Sequence, residues 1–178
     1  MRRFSIMVGD LTASDAEAIV NAANPTLLGG SGVDGAIHAA AGPELLADCR
    51  TLHGCKTGQA KLTRGYRLKA RYVIHTVGPI WQGGSHDEAA ALAACYRSCL
   101  ALAREHGIDS VDFPSISTGV YGYPMAQAAS VALKAIMDDL RVYGHPRQVR
   151  MVCHSESAAQ IYRQTYNSCY ADTKEERL

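Results

Sequence analysis

Apolar runs rich in β-branched or aromatic residues recur along the chain at Phe4–Val8, Ala18–Ala22, Tyr72–Val77, Val111–Pro114 and Val149–Cys153. Their length and bounding turn residues read as buried strands, with Ala60–Tyr66 a weaker candidate. Between them the period changes to that of a helix. From His86 to His106 the residues Leu92, Tyr96, Cys99 and Ala103 fall on one face, and after Pro124 the residues Ala129, Leu133, Ile136 and Leu140 do the same. Pro124 suits the first turn of its helix, where a missing N–H costs nothing. A last helix is expected from near Ser157, spaced from Gln160 as in a capping box, to about Tyr166. Strands alternating with helices indicate an α/β sandwich with a largely parallel sheet, in which ligands gather at the carboxyl ends of the strands.

With 178 residues, 47% hydrophobic and 20% charged, the chain is expected to form one globular domain over 1–170, followed by a charged tail, 171–178, that frays. The formal charge is +1 and the basic residues are scattered, which argues against nucleic acid as a partner. The six cysteines form no CxxC pair and lie mostly in apolar patterns, as reduced buried thiols do. Cys49, His53 and Cys55 lack a fourth ligand at a recognisable spacing, so no metal is expected. The amino terminus has too few apolar residues before Gly9 for a secretory core, and no run reaches the roughly 18 needed to span a membrane. A cytoplasmic location without membrane association is the expectation.

Two glycine-rich segments follow strands and should open at the same sheet edge. The first, VNAANPTLLGGSGVDGAIHAAAG from Val20 to Gly42, closes a strand with Asn21 and Asn24 and then turns through Gly29, Gly30 and Gly32. Asp34 follows in the first turn of a helix, beside amides that favour anions. Residues 30–35 formally satisfy GxGxxG, but the turn is too far from the strand and no acidic residue follows at the Rossmann spacing. A P-loop is absent as well. The second segment, Pro114 to Pro124, combines hydroxyls, two glycines and two tyrosines. Its backbone amides can form an anion nest, although taken alone it reads as a turn with helix-start chemistry. Two such loops on one edge suit a phosphate-containing ligand.

GDLT at 9–12, VNAANP at 20–25, GGSGVDGAIH at 29–38, HTVGP at 75–79 and SISTGVYGYP at 115–124 resemble the macrodomain family in order and spacing. The similarity runs from residue 4 to about 166. It implies a three-layer α/β/α fold with a mixed, largely parallel sheet. It points to the bacterial branch that hydrolyses O-acetyl-ADP-ribose and removes mono-ADP-ribose from proteins. Nothing in the sequence requires a metal, and no cofactor is expected. Carried onto this chain, the resemblance assigns adenine recognition to Asp10 with Leu11 beside it, distal-ribose contact to Asn24 and water activation to Asp34, with Asn24 and Asp34 as the catalytic pair. The diphosphate falls to Ser117, Thr118, Gly119, Val120 and Tyr121, with Gly32 and Val33 facing them. Two positions depart from the pattern. Ser31 replaces one of four consecutive glycines, and His154 stands where relatives often carry an aromatic that stacks on adenine.

Each assignment has a plainer counterpart. Asp34 can complement the helix dipole, Asn24 can start a turn, and Asp10 can cap the short helix after Thr12. Asn21 reads as structural. His38 and His75 read as packed, hydrogen-bonded histidines, and Trp81 as either a lid or a partly buried residue. Two rival functions accompany the hydrolase: a module that only binds ADP-ribose, and a regulatory protein that binds and inhibits a partner enzyme such as a ribonuclease.

Overall fold

The computed structural model describes residues 2–178. Six strands form one sheet: β1 (Phe4–Val8), β2 (Ala18–Ala23), β3 (Ala60–Arg64), β4 (Tyr72–Val77), β5 (Ser110–Phe113) and β6 (Gln148–Cys153). Their spatial order is β1-β6-β5-β2-β4-β3, parallel throughout except for β3, which runs antiparallel along the β4 edge. Five helices complete the fold: α1 (Gly32–Ala41), α2 (Pro43–Arg50), α3 (Glu88–Glu105), α4 (Met125–Val142) and α5 (Glu156–Cys169). Short 3-10 turns cover Leu11–Ala13 and Lys174–Glu176.

Strand alternation divides the core into two layers. On β2, Ala18 and Val20 face a cluster that contains Leu92, Tyr96 and Cys99 of α3, Leu133 and Ile136 of α4 and Tyr162 of α5. Ile19 and Ala23 face the opposite cluster, with Ile37 and Ala41 of α1 and Leu45 and Cys49 of α2. The result is a three-layer α/β/α sandwich. The expected helix faces are the buried ones: Leu92, Tyr96, Cys99 and Ala103 on α3, and Ala129, Leu133, Ile136 and Leu140 on α4. Each fully buried Leu or Ile contributes about 1.5–3 kcal/mol, which is enough to hold these long helices to the sheet.

Several boundaries differ from the sequence expectation. α5 begins at Glu156, and its N-cap is Ser155, not Ser157: the Ser155 hydroxyl accepts from the Ala158 amide at 3.2 Å. Ser155 has the extended backbone a cap requires, whereas Ser157 already lies within the first turn. Pro124 is the N-cap of α4, one residue ahead of its first turn. Pro114 falls outside β5, as a residue without an N–H should. The tail turns back on α5, where Asn167 exchanges hydrogen bonds with the Leu178 backbone at 2.9 and 3.2 Å. All six cysteines are free, five of them buried. Among the described residues, no helix is long and apolar enough to cross a membrane, and no three His, Cys, Asp or Glu side chains gather as a metal set.

Candidate functional site

The chain order reverses around β2: after β2 the chain adds β3 and β4 on one side, then crosses to place β5 on the other. β2 and β5 pair only at Ala18↔Val111 and Ile19↔Asp112, while β2 continues beside β4 as far as Ala23↔Val77. The sheet therefore splits at the carboxyl ends of β2 and β5, the position where open α/β sheets form a crevice. A cleft of about 860 Å³ occupies the split. Asp10, Leu11, Asn24, Gly32, Val33, Asp34, Ser117, Thr118, Gly119, Val120, Tyr121 and His154 all line it.

Asp34 is the charged group in its floor. It is 4% exposed and occupies the first turn of α1, whose N-cap, Ser31, makes no side-chain capping bond. The amides of that first turn are thus left without intrahelical partners and face the cleft with Asp34. Asn21 is fully buried on β2 and donates from Nδ2 to Asp34 Oδ1 at 2.9 Å. The same nitrogen lies 3.2 Å from His75 Nδ1, and His75 Nε2 lies 2.8 Å from Thr63 Oγ1. An amide nitrogen has two hydrogens, so Asn21 donates to both Asp34 and His75. His75 then accepts at Nδ1 and donates from Nε2 to Thr63 as a neutral ring. Burial, helped by the nearby charge of His38 and opposed by Asp48, drives the His75 pKa down to about 3.

The pairing of Asn21 with Asp34 is what sequence reasoning missed, having treated Asn21 as structural and weighted Asn24. The available signal was strand parity. Asn21 shares the face of Ile19 and Ala23 and lies directly beside His75 in the register, beneath α1 and α2. Asn24 holds its own loop: its Nδ2 donates to Gly29 O at 2.8 Å, and its Oδ1 accepts from the Thr26 amide and hydroxyl at 3.1 and 2.6 Å. His38 does not form the expected close hydrogen bond. Its Nε2 faces Asp34 Oδ1 at 3.5 Å and has no other partner among the described residues.

Close packing defines the glycines of this turn. A Cβ on Gly35 would sit 2.5 Å from Gly30 O, and one on Gly30 would sit 3.0 Å from Asp34 Oδ2. Ser31 has φ −102° and ψ −179°, extended backbone open to any residue, so its departure from a glycine run costs no strain. Its side chain is exposed at the cleft edge.

The loop after β5 is built differently. Among the described residues, no amide from Ser117 to Tyr121 donates to a protein acceptor, leaving a row of N–H groups along the cleft. Buried tyrosines support it from below: Tyr96 OH accepts from the Ile116 amide at 3.1 Å, and Tyr162 OH lies 2.7 Å from Ser115 Oγ. Desolvation raises the pKa of both phenols. Thr118 Oγ1 donates to Ser115 O at 2.9 Å, tightening the turn. Ser117 takes φ +66°, and its buried hydroxyl has no partner among the described residues. Gly78 makes the space for it, since a Cβ there would lie 2.2 Å from Ser117 Oγ. Val120 stands at the rim, 85% exposed.

At the opposite end, Asp10 caps the Leu11–Ala13 turn. Its Oδ1 accepts from the Thr12 amide at 2.9 Å and the Thr12 hydroxyl at 2.7 Å, and these bonds hold its carboxyl below the usual carboxylate range. Capping uses one oxygen, and Asp10 lines the cleft. Leu11 is buried beneath it, while His154 is exposed just beyond β6.

Fold and cleft together have the layout of an α/β sandwich with a switch-point crevice walled by two anion-favouring turns. Comparison with known proteins names the family. The family model described as Macro domain matches residues 20–132. A macro domain-containing protein of Ralstonia nicotianae is 64% identical over 129 residues, covering 72% of this chain and 75% of the relative. An O-acetyl-ADP-ribose deacetylase of Salmonella typhimurium is 51% identical over 164 residues, covering 90% of this chain and 92% of the relative. Among solved structures, a mutant macrodomain of Oceanobacillus iheyensis with ADPR matches with a TM-score of 0.89 and 45% identity, covering 92% of this chain and 91% of that one. The chain belongs to the macro domain family.

Proposed function

We propose that the chain binds ADP-ribose along the cleft and hydrolyses its esters, deacetylating O-acetyl-ADP-ribose and removing mono-ADP-ribose from acidic side chains of proteins. The observation that carries this reading is the buried carboxylate of Asp34 between two turns whose amides are free for an anion. A module that only binds a nucleotide has no need of a carboxylate close to the phosphates, where it repels them. The relative named as a deacetylase and the macrodomain solved with ADPR support the same substrate class.

In this reading adenine lies by Asp10, Leu11 and His154, and the diphosphate lies between Ser117–Tyr121 and the Gly32–Val33 amides. The distal ribose sits at Asn24, whose bond to Gly29 shapes the turn beneath it. A water between Asp34 and a ligand phosphate attacks the ester, with Asp34 accepting its proton. Attack at the acyl carbon breaks the acyl–oxygen bond, and attack at the anomeric carbon breaks the ribosyl–oxygen bond. On an ester of the anomeric oxygen both routes release the carboxylic acid and ADP-ribose, whereas an ester of another ribose hydroxyl is cleaved by acyl attack alone. General-base assistance is worth roughly 10²–10⁴-fold, and orientation by the amides adds to it.

The test compares wild type with Asp34→Ala for ADP-ribose binding and for release of ADP-ribose from a mono-ADP-ribosylated acidic side chain. Retained binding with turnover lost is the expected result. Equal turnover removes Asp34 from the chemistry, and binding without turnover in the wild type makes the protein a reader. Hydrolysis in ¹⁸O-water separates the two routes at the released acid: label in the acid marks acyl attack, and an unlabelled acid marks attack at the anomeric carbon.

A further inference from the structure

The loop between β4 and α3 winds around one buried side chain. Residues 82–87 are all exposed, yet Glu88, the first residue of α3, is 2% exposed. Its Oε2 accepts from the amides of Gln82 and Gly84 at 2.9 and 2.8 Å, and its Oε1 accepts from the His86 amide at 2.5 Å. The helix N-cap, Asp87, makes no side-chain capping bond, so Glu88 gathers amides of the incoming loop instead. Burial opposes its charge, but these amides outweigh it and hold the carboxyl at about 2. The positive end of α3 favours the same charge.

This loop touches the cleft through Trp81. The Trp81 amide donates to Tyr121 O at 2.8 Å, and its ring packs on Tyr123 with centroids 4.6 Å apart. Tyr123 is itself tied to Ser117 O through its amide at 2.9 Å. Gly84 passes over the indole so closely that a Cβ there would lie 2.9 Å from Trp81 Cη2. An uninterrupted chain of contacts therefore runs from the Glu88 carboxylate to the 82–86 loop, to Trp81, and to both ends of the turn from Ser117 to Tyr123.

We propose that Glu88 is a positioning residue for the β5 loop: it fixes Trp81, which holds the 117–123 amides in the geometry that receives the ligand's diphosphate. The inference rests on the ADP-ribose reading above. Glu88 does not line the cleft, and its effect on the ligand passes through Trp81. A neutral amide at 88 can accept with one oxygen only, and its nitrogen would meet an N–H. The loop then loses at least one charge-assisted bond.

The experiment uses the full chain and Glu88→Gln, Trp81→Ala and the double variant, with thermal unfolding checked for each. Trp81 is the only tryptophan, so its emission and acrylamide quenching report on the loop directly. Glu88→Gln is expected to raise the Kd for ADP-ribose and the KM for the ester by about tenfold, leaving kcat within about threefold. Its Trp81 emission should shift to the red and quench more readily without any ligand. Trp81→Ala should show the same loss of affinity, and adding Glu88→Gln to it should cost nothing more. Unchanged affinity in Glu88→Gln, additive losses in the double variant, or a fall in kcat with KM unchanged would each overturn the proposal. If Glu88→Gln fails to fold, Gly84→Ala presses on the same indole and must show the same split between KM and kcat. A wild type that does not bind ADP-ribose refutes the substrate reading, while the ligand-free emission still decides whether Glu88 holds Trp81.

Discussion

The two turns that face each other across the cleft solve different physical problems. The turn after β2 must keep a carboxylate buried beside backbone amides that have no protein acceptor among the described residues. It does so with side chains on its own sheet face: Asn21 donates to Asp34, and His75 and Thr63 fix the orientation of Asn21. The turn after β5 carries no charge and presents only backbone N–H groups and hydroxyls. It is held by other elements, through Tyr96 of α3, Tyr162 of α5 and the Trp81 loop. A charge that must act at one atom needs polar orientation, whereas a row of amides needs only its shape preserved. Damage to the first turn should therefore appear in turnover, and damage to the second in affinity.

The sharpest way to break this division is at Asn21. Asn21→Leu removes the donor to Asp34 Oδ1 and leaves His75 Nδ1 unpaired in the core. A lost hydrogen bond to a charged group is worth about 1.5–3 kcal/mol, so kcat should fall by roughly 10- to 150-fold if that bond matters in the transition state. Steady-state kinetics with ADP-ribose binding measured in parallel should place the loss in kcat, with Kd little changed. A variant that loses affinity and keeps kcat would dissolve the distinction between the two turns.

Gly78→Ala probes the opposite side. Its Cβ would meet Ser117 Oγ at 2.2 Å and Ile116 Cγ2 at 2.6 Å, so the β5 loop must move. Overpacking of this kind costs about 1–3 kcal/mol. Calorimetric titration should show ADP-ribose binding weakened about tenfold or more, with kcat at saturating ester close to wild type. A proportionate loss of kcat would show that the β5 loop also orients the reacting atoms.

The smallest effect should be in stability and should depend on pH. His75 has a folded pKa of about 3, against roughly 6.5 in an unfolded chain. The unfolded state therefore binds a proton that the folded state refuses. The stabilisation is fully present above about pH 6.5 and is lost progressively as pH falls toward 3. By pH 5 the loss should reach roughly 2 kcal/mol, read from urea unfolding at pH 7.5 and pH 5. His75→Gln should remove that part of the pH dependence. If the wild-type slope persists in the variant, His75 is not the group responsible.

Much of the architecture was legible because burial writes itself into the chain. The apolar runs of β1, β2 and β4 and the stripes of α3 and α4 were found where expected, since a helix or strand can bury a face only by repeating it. Both glycine-rich turns were legible as well, because close backbone approach and helix starts need particular residues, as at Gly30, Gly32 and Gly35. Cap positions were less so: Ser155 and Ser157 have the same chemistry, and only backbone conformation selects between them.

The sequence by itself determined the alternation of strands and helices, the two anion-favouring turns and the presence of one aspartate at a helix start. These are local consequences of periodicity, backbone freedom and helix-end chemistry. Tertiary structure decided which groups meet. Asn21 reaches Asp34 because strand parity and the β2–β4 register put it under α1, and Trp81 reaches the β5 loop because Glu88 gathers the amides of a segment that looks featureless in one dimension. Contacts between residues distant in sequence depend on register and on the packing of layers, and no local pattern encodes either.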